Sequence, residues 1–194
     1  MNPSSQVLLV LSALSFSGSA HAQAAWIETD RAHDCIFFKQ HLNERHIPLR
    51  VVCDWSIPVE KVLAAVEPLD LFDQYLTGVL ESTRVDSPLP NIRILQIHGY
   101  PGLTNRAAFL DYTILSIPKG KRIIFTKAED QSLLPSNHIE IELNTGFWEI
   151  TSEGKGSRVI FESSYLPGGY IPSFLIAWFQ GPGTQQVMSE LKDL

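Results

Sequence analysis

Between residues 79 and 165 the chain is a succession of short segments in which apolar and polar side chains alternate, separated by turn-forming residues. No other feature limits the fold as much. A period of two sends neighbouring side chains to opposite faces of an extended strand, so each segment has one dry face and one wet face. The segments run from Val79-Leu80 through residues 92–95, 109–117, 121–126, 138–143, 146–150 and 158–165. Such spacing predicts an antiparallel meander. The alternation is clearest at 138–143, where Ile139, Ile141 and Leu143 oppose His138, Glu140 and Glu142. The same parity turns Trp148, Ile150, Val159, Phe161, Ser163 and Tyr165 inward, with Phe147 competing with Trp148, and sends Glu149 and Glu162 to a solvated face. Ser152-Glu153-Gly154-Lys155-Gly156 fits a hairpin loop.

Both flanks of the meander read differently. Residues 35–40 and 47–55 are strand-like, and Pro58 suits the first turn of a helix in which Val59, Val62, Leu63 and Val66 recur at helical spacing. Pro68 ends that run, and residues 69–77 supply a second short helix. After the meander, Pro167-Gly168-Gly169 breaks the last strand and Pro172 opens a helix whose turns from Phe174 to Phe179 carry no polar residue. A helix apolar all round must be buried or must touch lipid. Gly181-Pro182-Gly183 interrupts it, and residues 185–194 resume as an amphipathic tail. Cys35 and Cys53 flank a polar turn at Asn43-Glu44-Arg45, so a hairpin centred there faces them across two strands. In an oxidising compartment the pair forms a disulfide worth about 3 kcal/mol; two buried thiols are the alternative.

The first 22 residues contain no Asp, Glu, Lys or Arg. Val7-Leu8-Leu9-Val10-Leu11 with Ala13-Leu14 forms a short apolar core, and Ala20-His21-Ala22, or Ala22-Gln23-Ala24, fits an A-x-A cleavage site. That core is about half of the ~20 residues that span a bilayer. The expected organisation is a signal peptide over 1–22 and one domain over 23–194, exported to the periplasm or secreted. The net charge of −6 argues against a nucleic-acid partner.

The order of two strands, two short helices, a run of antiparallel strands and a Pro-Gly-Gly break into an apolar helix resembles the START lipid-transfer domains of the helix-grip (Bet v 1-like) superfamily, in an exported bacterial form. Trp26, Thr104-Asn105-Arg106, Gly146-x-Trp148 and Pro167-Gly168-Gly169-Tyr170-Ile171-Pro172 stand where that family has similar residues, over residues 26–194. The last element is the most specific, joining a strand end, a glycine turn and a helix-opening proline in fixed order. Two positions depart: the family usually has an acid where this chain has Ala107 after Arg106, and another where it has Leu166 before Pro-Gly-Gly.

The resemblance implies an α+β helix-grip fold, a curved antiparallel sheet wrapped around a C-terminal helix with two short helices after the second strand. It also implies a cavity between sheet and helix that holds a lipid or other hydrophobic small molecule. The candidate ligand-binding residues are Arg106, Leu110, Tyr112, Ile141, Trp148, Phe161, Ser163, Tyr165, Phe174 and Trp178. Arg106, Asp111, Tyr112, Ser163 and Tyr165 are the candidate orienting groups, although Arg106 and Asp111 also suit structural pairing or exposure. Phe174, Trp178 and Phe179 form an aromatic stripe that serves as core, ligand wall or both. Residues 88–91, 127–137 and Gly181-Pro182-Gly183 are candidate gates. The expected partners are an apolar ligand and, transiently, a membrane surface, with a monomer as the expected form.

No G-x-S-x-G elbow, P-loop or G-x-G-x-x-G is present, and Gly154-Lys155-Gly156-Ser157 lacks phosphate-loop spacing. His33, His41 and His46 are loosely spaced, His98 and His138 isolated, so they read mostly as surface histidines rather than a zinc site. No metal or cofactor is expected. Two alternatives to a non-enzymatic carrier stay open: a cyclase- or hydrolase-like helix-grip enzyme, with Asp111 as the candidate inward acid or base, and a protein-interaction module with a closed cavity.

Overall fold

The computed structural model describes residues 25–40, 46, 48–86, 91–179 and 181–194. The expected signal peptide with its cleavage sites, the hairpin tip at Asn43-Glu44-Arg45, His41, Ile47 and the gate residues 88–90 lie outside the described residues.

Among the described residues ten strands form one sheet: β1 (Ile27–Ala32), β2 (Cys35–Lys39), β3 (Leu49–Trp55), β4 (Val79–Val85), β5 (Ile92–His98), β6 (Arg106–Ile117), β7 (Gly120–Lys127), β8 (Ile139–Glu140), β9 (Leu143–Glu153) and β10 (Gly156–Leu166). Helix α1 (Val59–Val66) and a 3-10 helix at Leu69–Gln74 follow β3, and α2 (Ser173–Phe179) and α3 (Pro182–Lys192) end the chain. The path through the sheet is β1-β2-β3-β10-β9-β7-β6-β5-β4, so the N-terminal hairpin docks against the last strand of the meander. This is the α+β architecture that the resemblance implies, with α3 packed beside α1 in the core on the inner sheet face.

Alternation decides what faces inward. On β9 and β10 Trp148, Ile150, Val159 and Ser163 are buried, whereas Phe147 lies on the outer face beneath the Arg122 guanidinium at 3.9 Å. The outer face is knitted by charge pairs across neighbouring strands: Arg50 with Glu162 at 2.8 Å and Arg122 with Glu149 at 3.8 Å. The core joins Val62 and Val66 of α1, Leu69 and Phe72 of the 3-10 helix, and Met188 and Leu191 of α3 to the inner sheet face.

Two elements differ from the sequence expectation. Residues 138–143 keep their parity, with Ile141 fully buried and Glu140 and Glu142 exposed, yet they do not form one strand: Ile139 and Glu140 run parallel to β6, and Leu143 already opens β9 opposite Leu166. The reason lies in strand lengths. β7 ends at Lys127 opposite Leu110, so the first residues of β6 need another neighbour. The crossover segment supplies it at Arg106 and Ala107, and Gln131 supplies it at Phe109, accepting from its N–H at 2.9 Å and donating to its carbonyl at 3.2 Å. The second difference is β1, which pairs with β2 as an exposed edge strand and shows no apolar alternation.

Cys35 and Cys53 are register partners on β2 and β3 and form a disulfide. At the far end of the sheet, Gly168 and Gly169 have φ of +74° and +62°, the left-handed region, and a Cβ on Gly168 would also meet the Glu140 carbonyl at 2.2 Å. The Pro-Gly-Gly break therefore needs glycine for conformation and for space. Gly146 is needed for space alone, because a Cβ there would lie 2.0 Å from the Glu162 carbonyl oxygen and 2.7 Å from the Phe125 ring. Backbone cannot yield as a side chain can, so Gly146→Val is expected to cost about 1–3 kcal/mol through overpacking. Urea denaturation measures this, and an unchanged midpoint would show that the sheet relaxes freely at β9.

Candidate functional site

A cavity of about 780 Å³ lies between the concave sheet face and the C-terminal helices. Inward parity builds its apolar wall from Leu110 of β6, Phe125 of β7, Trp148 of β9 and Phe161 of β10, while Ile176, Trp178 and Phe179 of α2 and Val187 of α3 cover it. Trp148 stacks on Phe161 at 4.2 Å between centroids. Tyr100 packs in T-shaped geometry against Trp178 and Phe179, with ring centroids 5.0 and 5.5 Å apart, tying the covering helix to the loop after β5. Gly183 completes this arrangement: a Cβ there would sit 2.7 Å from the Trp178 ring, so the break between α2 and α3 lets the indole lie flat on the start of α3.

Polar groups gather where β5 ends, β6 begins, β9 begins and β10 ends, which brings Gln96, His98, Arg106, Asn144, Ser163 and Tyr165 into the same wall. His98 Nδ1 lies 3.2 Å from the Tyr165 hydroxyl and Nε2 lies 3.3 Å from Gln96 Oε1. Burial pushes the imidazole down to about 4, so it is neutral at ordinary pH. A neutral ring that donates from Nε2 to the Gln96 oxygen must accept at Nδ1 from the Tyr165 hydroxyl, which fixes the direction of the chain. Burial raises the Tyr165 and Tyr112 phenols well above their usual range, with Arg106 opposing the rise at Tyr165 and a hydrogen bond from Gln96 opposing it at Tyr112. Arg106 is 5% exposed. Its terminal nitrogens donate to the carbonyls of Thr104 and, at 3.3 Å, Tyr170, while its Nε–H is buried without a partner.

Because the folded pKa of His98 is depressed, the unfolded chain takes up a proton before the folded one does. The resulting stability is complete above the unfolded pKa of 6.5 and is lost as pH falls from there to about 4. Allowing for water in the cavity, the loss amounts to about 2 kcal/mol. Unfolding midpoints of wild type and His98→Gln between pH 7 and pH 4 measure it, and parallel pH profiles would assign the acid sensitivity elsewhere.

Of the ten sequence-derived candidates, Arg106, Leu110, Tyr112, Trp148, Phe161, Ser163, Tyr165 and Trp178 line the cavity. Ile141 does not; it is fully buried in the core at the crossover between β8 and β9. Phe174 does not either: it is 70% exposed, because its neighbour Leu175 takes the buried side of α2. Asp111 lies on the outer sheet face in a bidentate pair with Arg93, at 2.7 and 2.8 Å, which removes the candidate acid from the cavity. His98, read from sequence as a surface residue, lies inside. Gln96, His98 and Asn144 were missed, although stepping by two from Ile94 on β5 and back from Trp148 on β9 reaches all three.

No protein-family model and no curated protein matches the sequence. Solved structures do. A STAR-related lipid transfer protein from Xanthomonas axonopodis superposes with a TM-score of 0.74 at 16% identity, covering 87% of this chain and 97% of that one. Human STARD10 gives a TM-score of 0.77 at 12% identity, covering 89% and 74%. The di-domain ARO/CYC BexL from the BE-7585A biosynthetic pathway gives 0.54 at 13% identity, covering 78% of this chain and 50% of that one. These likenesses establish a START-like helix-grip fold.

Proposed function

We propose that the protein binds a hydrophobic small molecule or lipid between its sheet and its C-terminal helices and carries it through water, without catalysis, in the periplasm or outside the cell. The observation that carries this reading is the 780 Å³ cavity, its wall mostly aromatic and aliphatic, with Gln96, His98, Arg106, Asn144, Ser163 and Tyr165 forming a polar group within it. Sites that take up apolar ligands have this volume and this make-up, with a few polar groups fixing orientation. The lipid-transfer titles of the structural neighbours support it. Export is inferred from the leader pattern of residues 1–22, and the Cys35–Cys53 disulfide suits an oxidising compartment. Tyr170, just before the covering helix, and Phe174, in its first turn, are 84% and 70% exposed and suit brief contact of a monomer with a membrane surface during loading.

Native mass spectrometry of the protein purified from a periplasmic fraction, followed by organic extraction, tests the reading. A stoichiometric apolar adduct is expected. An apo mass that stays unchanged against a panel of lipids would overturn it.

A second reading, an enzyme acting on a hydrophobic substrate, is favoured by the Tyr165–His98–Gln96 chain inside the cavity and by the cyclase title of one neighbour. With Asp111 outside, His98 is the inward base it would require. Recovery of a chemically altered ligand from wild type but not from His98→Gln would favour it, whereas unaltered ligand from both supports carriage.

A further inference from the structure

Arg106 is the only charged side chain among the described residues that line the cavity, and it has no carboxylate partner. An unpaired guanidinium that is 95% withdrawn from solvent stands in an expensive position, since a buried cation normally has an anion beside it. Here the obvious donors of that anion are absent. Ala107 follows Arg106, and Glu140, which pairs with Ala107 in register, points outward and is held by Lys127. His98, opposite Arg106 across β5 and β6, is neutral, and Tyr165 stays protonated. Of the five guanidinium N–H groups, two are taken by backbone carbonyls, and the buried Nε–H has no acceptor among the described residues.

We propose that the missing counter-charge is supplied by the ligand: the cavity takes a single-chain amphiphile with an anionic oxyacid head, which Arg106 holds within the polar group of the wall while the tail lies along Leu110, Phe125, Trp148 and Phe161. The proposal rests on the carrier reading and narrows it to a charge class. The planar guanidinium fork matches carboxylate and phosphate oxygens better than a hydroxyl. Volume sets the chain count. At about 30 Å³ per methylene-sized group, the share of a water molecule in the liquid, the 780 Å³ cavity holds roughly 25 such groups, enough for one long acyl chain and its head but not for two chains. The net charge of −6 repels anions over the surface as a whole, so selectivity for an anionic head must be local to Arg106.

Delipidated protein is titrated at neutral pH with oleate, oleyl phosphate and oleyl alcohol, which share one tail. Binding is read by calorimetry and by the fluorescence of Trp148 and Trp178, both in the cavity wall. Oleate or oleyl phosphate is expected to bind at least tenfold more tightly than oleyl alcohol, and the better of the two names the head group. Arg106→Gln is expected to erase that preference, oleate and oleyl phosphate then binding within threefold of oleyl alcohol on the same variant. Because Arg106 also holds two backbone carbonyls, Asn144→Asp serves as a second variant. It places a carboxylate of nearly unchanged shape in the same wall and is expected to bring oleate to or below the alcohol's affinity. Equal binding of all three probes by wild type, or a preference that survives both substitutions, overturns the charge assignment and leaves the carrier reading standing. Failure of wild type to bind these probes or cholesterol overturns both.

Discussion

Trp178→Glu is expected to abolish uptake of a neutral apolar ligand by a protein that still folds. Trp178 is half-buried on α2, where its indole packs against Tyr100 with ring centroids 5.0 Å apart and rests on Gly183. A glutamate there reaches water in the ligand-free protein, so the folded state survives with the loss of the ring contacts to Tyr100 and Phe179. Loading reverses the situation, because the ligand and the closing helix cover the carboxylate without a partner. Withdrawing an unpaired ion from water costs several kcal/mol. A loss of about 4 kcal/mol corresponds to roughly a thousandfold weaker Kd. Titration with oleyl alcohol, alongside far-ultraviolet circular dichroism to confirm the fold, provides the measurement. Wild-type affinity in a folded variant would take Trp178 out of the site. Leu110 is a poorer place for the same test, since it is fully buried and a charge there threatens the fold itself.

Opening the Cys35–Cys53 bond is expected to lower stability by about 3 kcal/mol, the loop-closure term for a separation of 18 residues. For a chain of this size that corresponds to a fall in Tm of about 6–12 °C. Calorimetry of the oxidised protein, the reduced protein and the Cys35→Ala/Cys53→Ala variant tests it; identical transitions in all three would show that the bond merely accompanies a hairpin already held. The location adds a second consequence. β1 and β2 carry the approach to α3 through Lys192 on Asp34 at 2.7 Å and Gln185 on Asp30 at 2.5 Å. Loosening this edge therefore also loosens the C-terminal helix, and ligand release from the reduced protein is expected to be faster.

Most of the sheet was legible because burial on one face writes itself into the sequence as alternation. Trp148, Ile150, Val159 and Phe161 fell on the correct side for that reason. β1 was not legible: Glu28-Thr29-Asp30-Arg31 forms an edge strand wet on both faces, and such a strand needs no apolar period. β8 was legible as a dry-and-wet pattern but not as a parallel partner, since pairing direction depends on β7 ending short of the start of β6. The site followed the same logic. Its apolar wall could be read from parity, whereas Gln96, His98 and Asn144 share that parity but look like surface residues when judged singly. Phe174 failed for the opposite reason. An apolar run in a helix does not reveal which residue faces inward, and a two-turn segment leaves one side uncovered.

The cavity also sets the lifetime of the molecule. Side chains that line a 780 Å³ cavity have fewer packing partners than a solid core would give them, so a ligand that fills the cavity is expected to stabilise the fold. A ligand present at a hundred times its Kd adds about 2.7 kcal/mol. On the proposed carrier reading, proteases that sample open chains are expected to remove ligand-free molecules preferentially, so that the amount of protein that persists follows the supply of ligand, which limited proteolysis with and without a bound ligand measures.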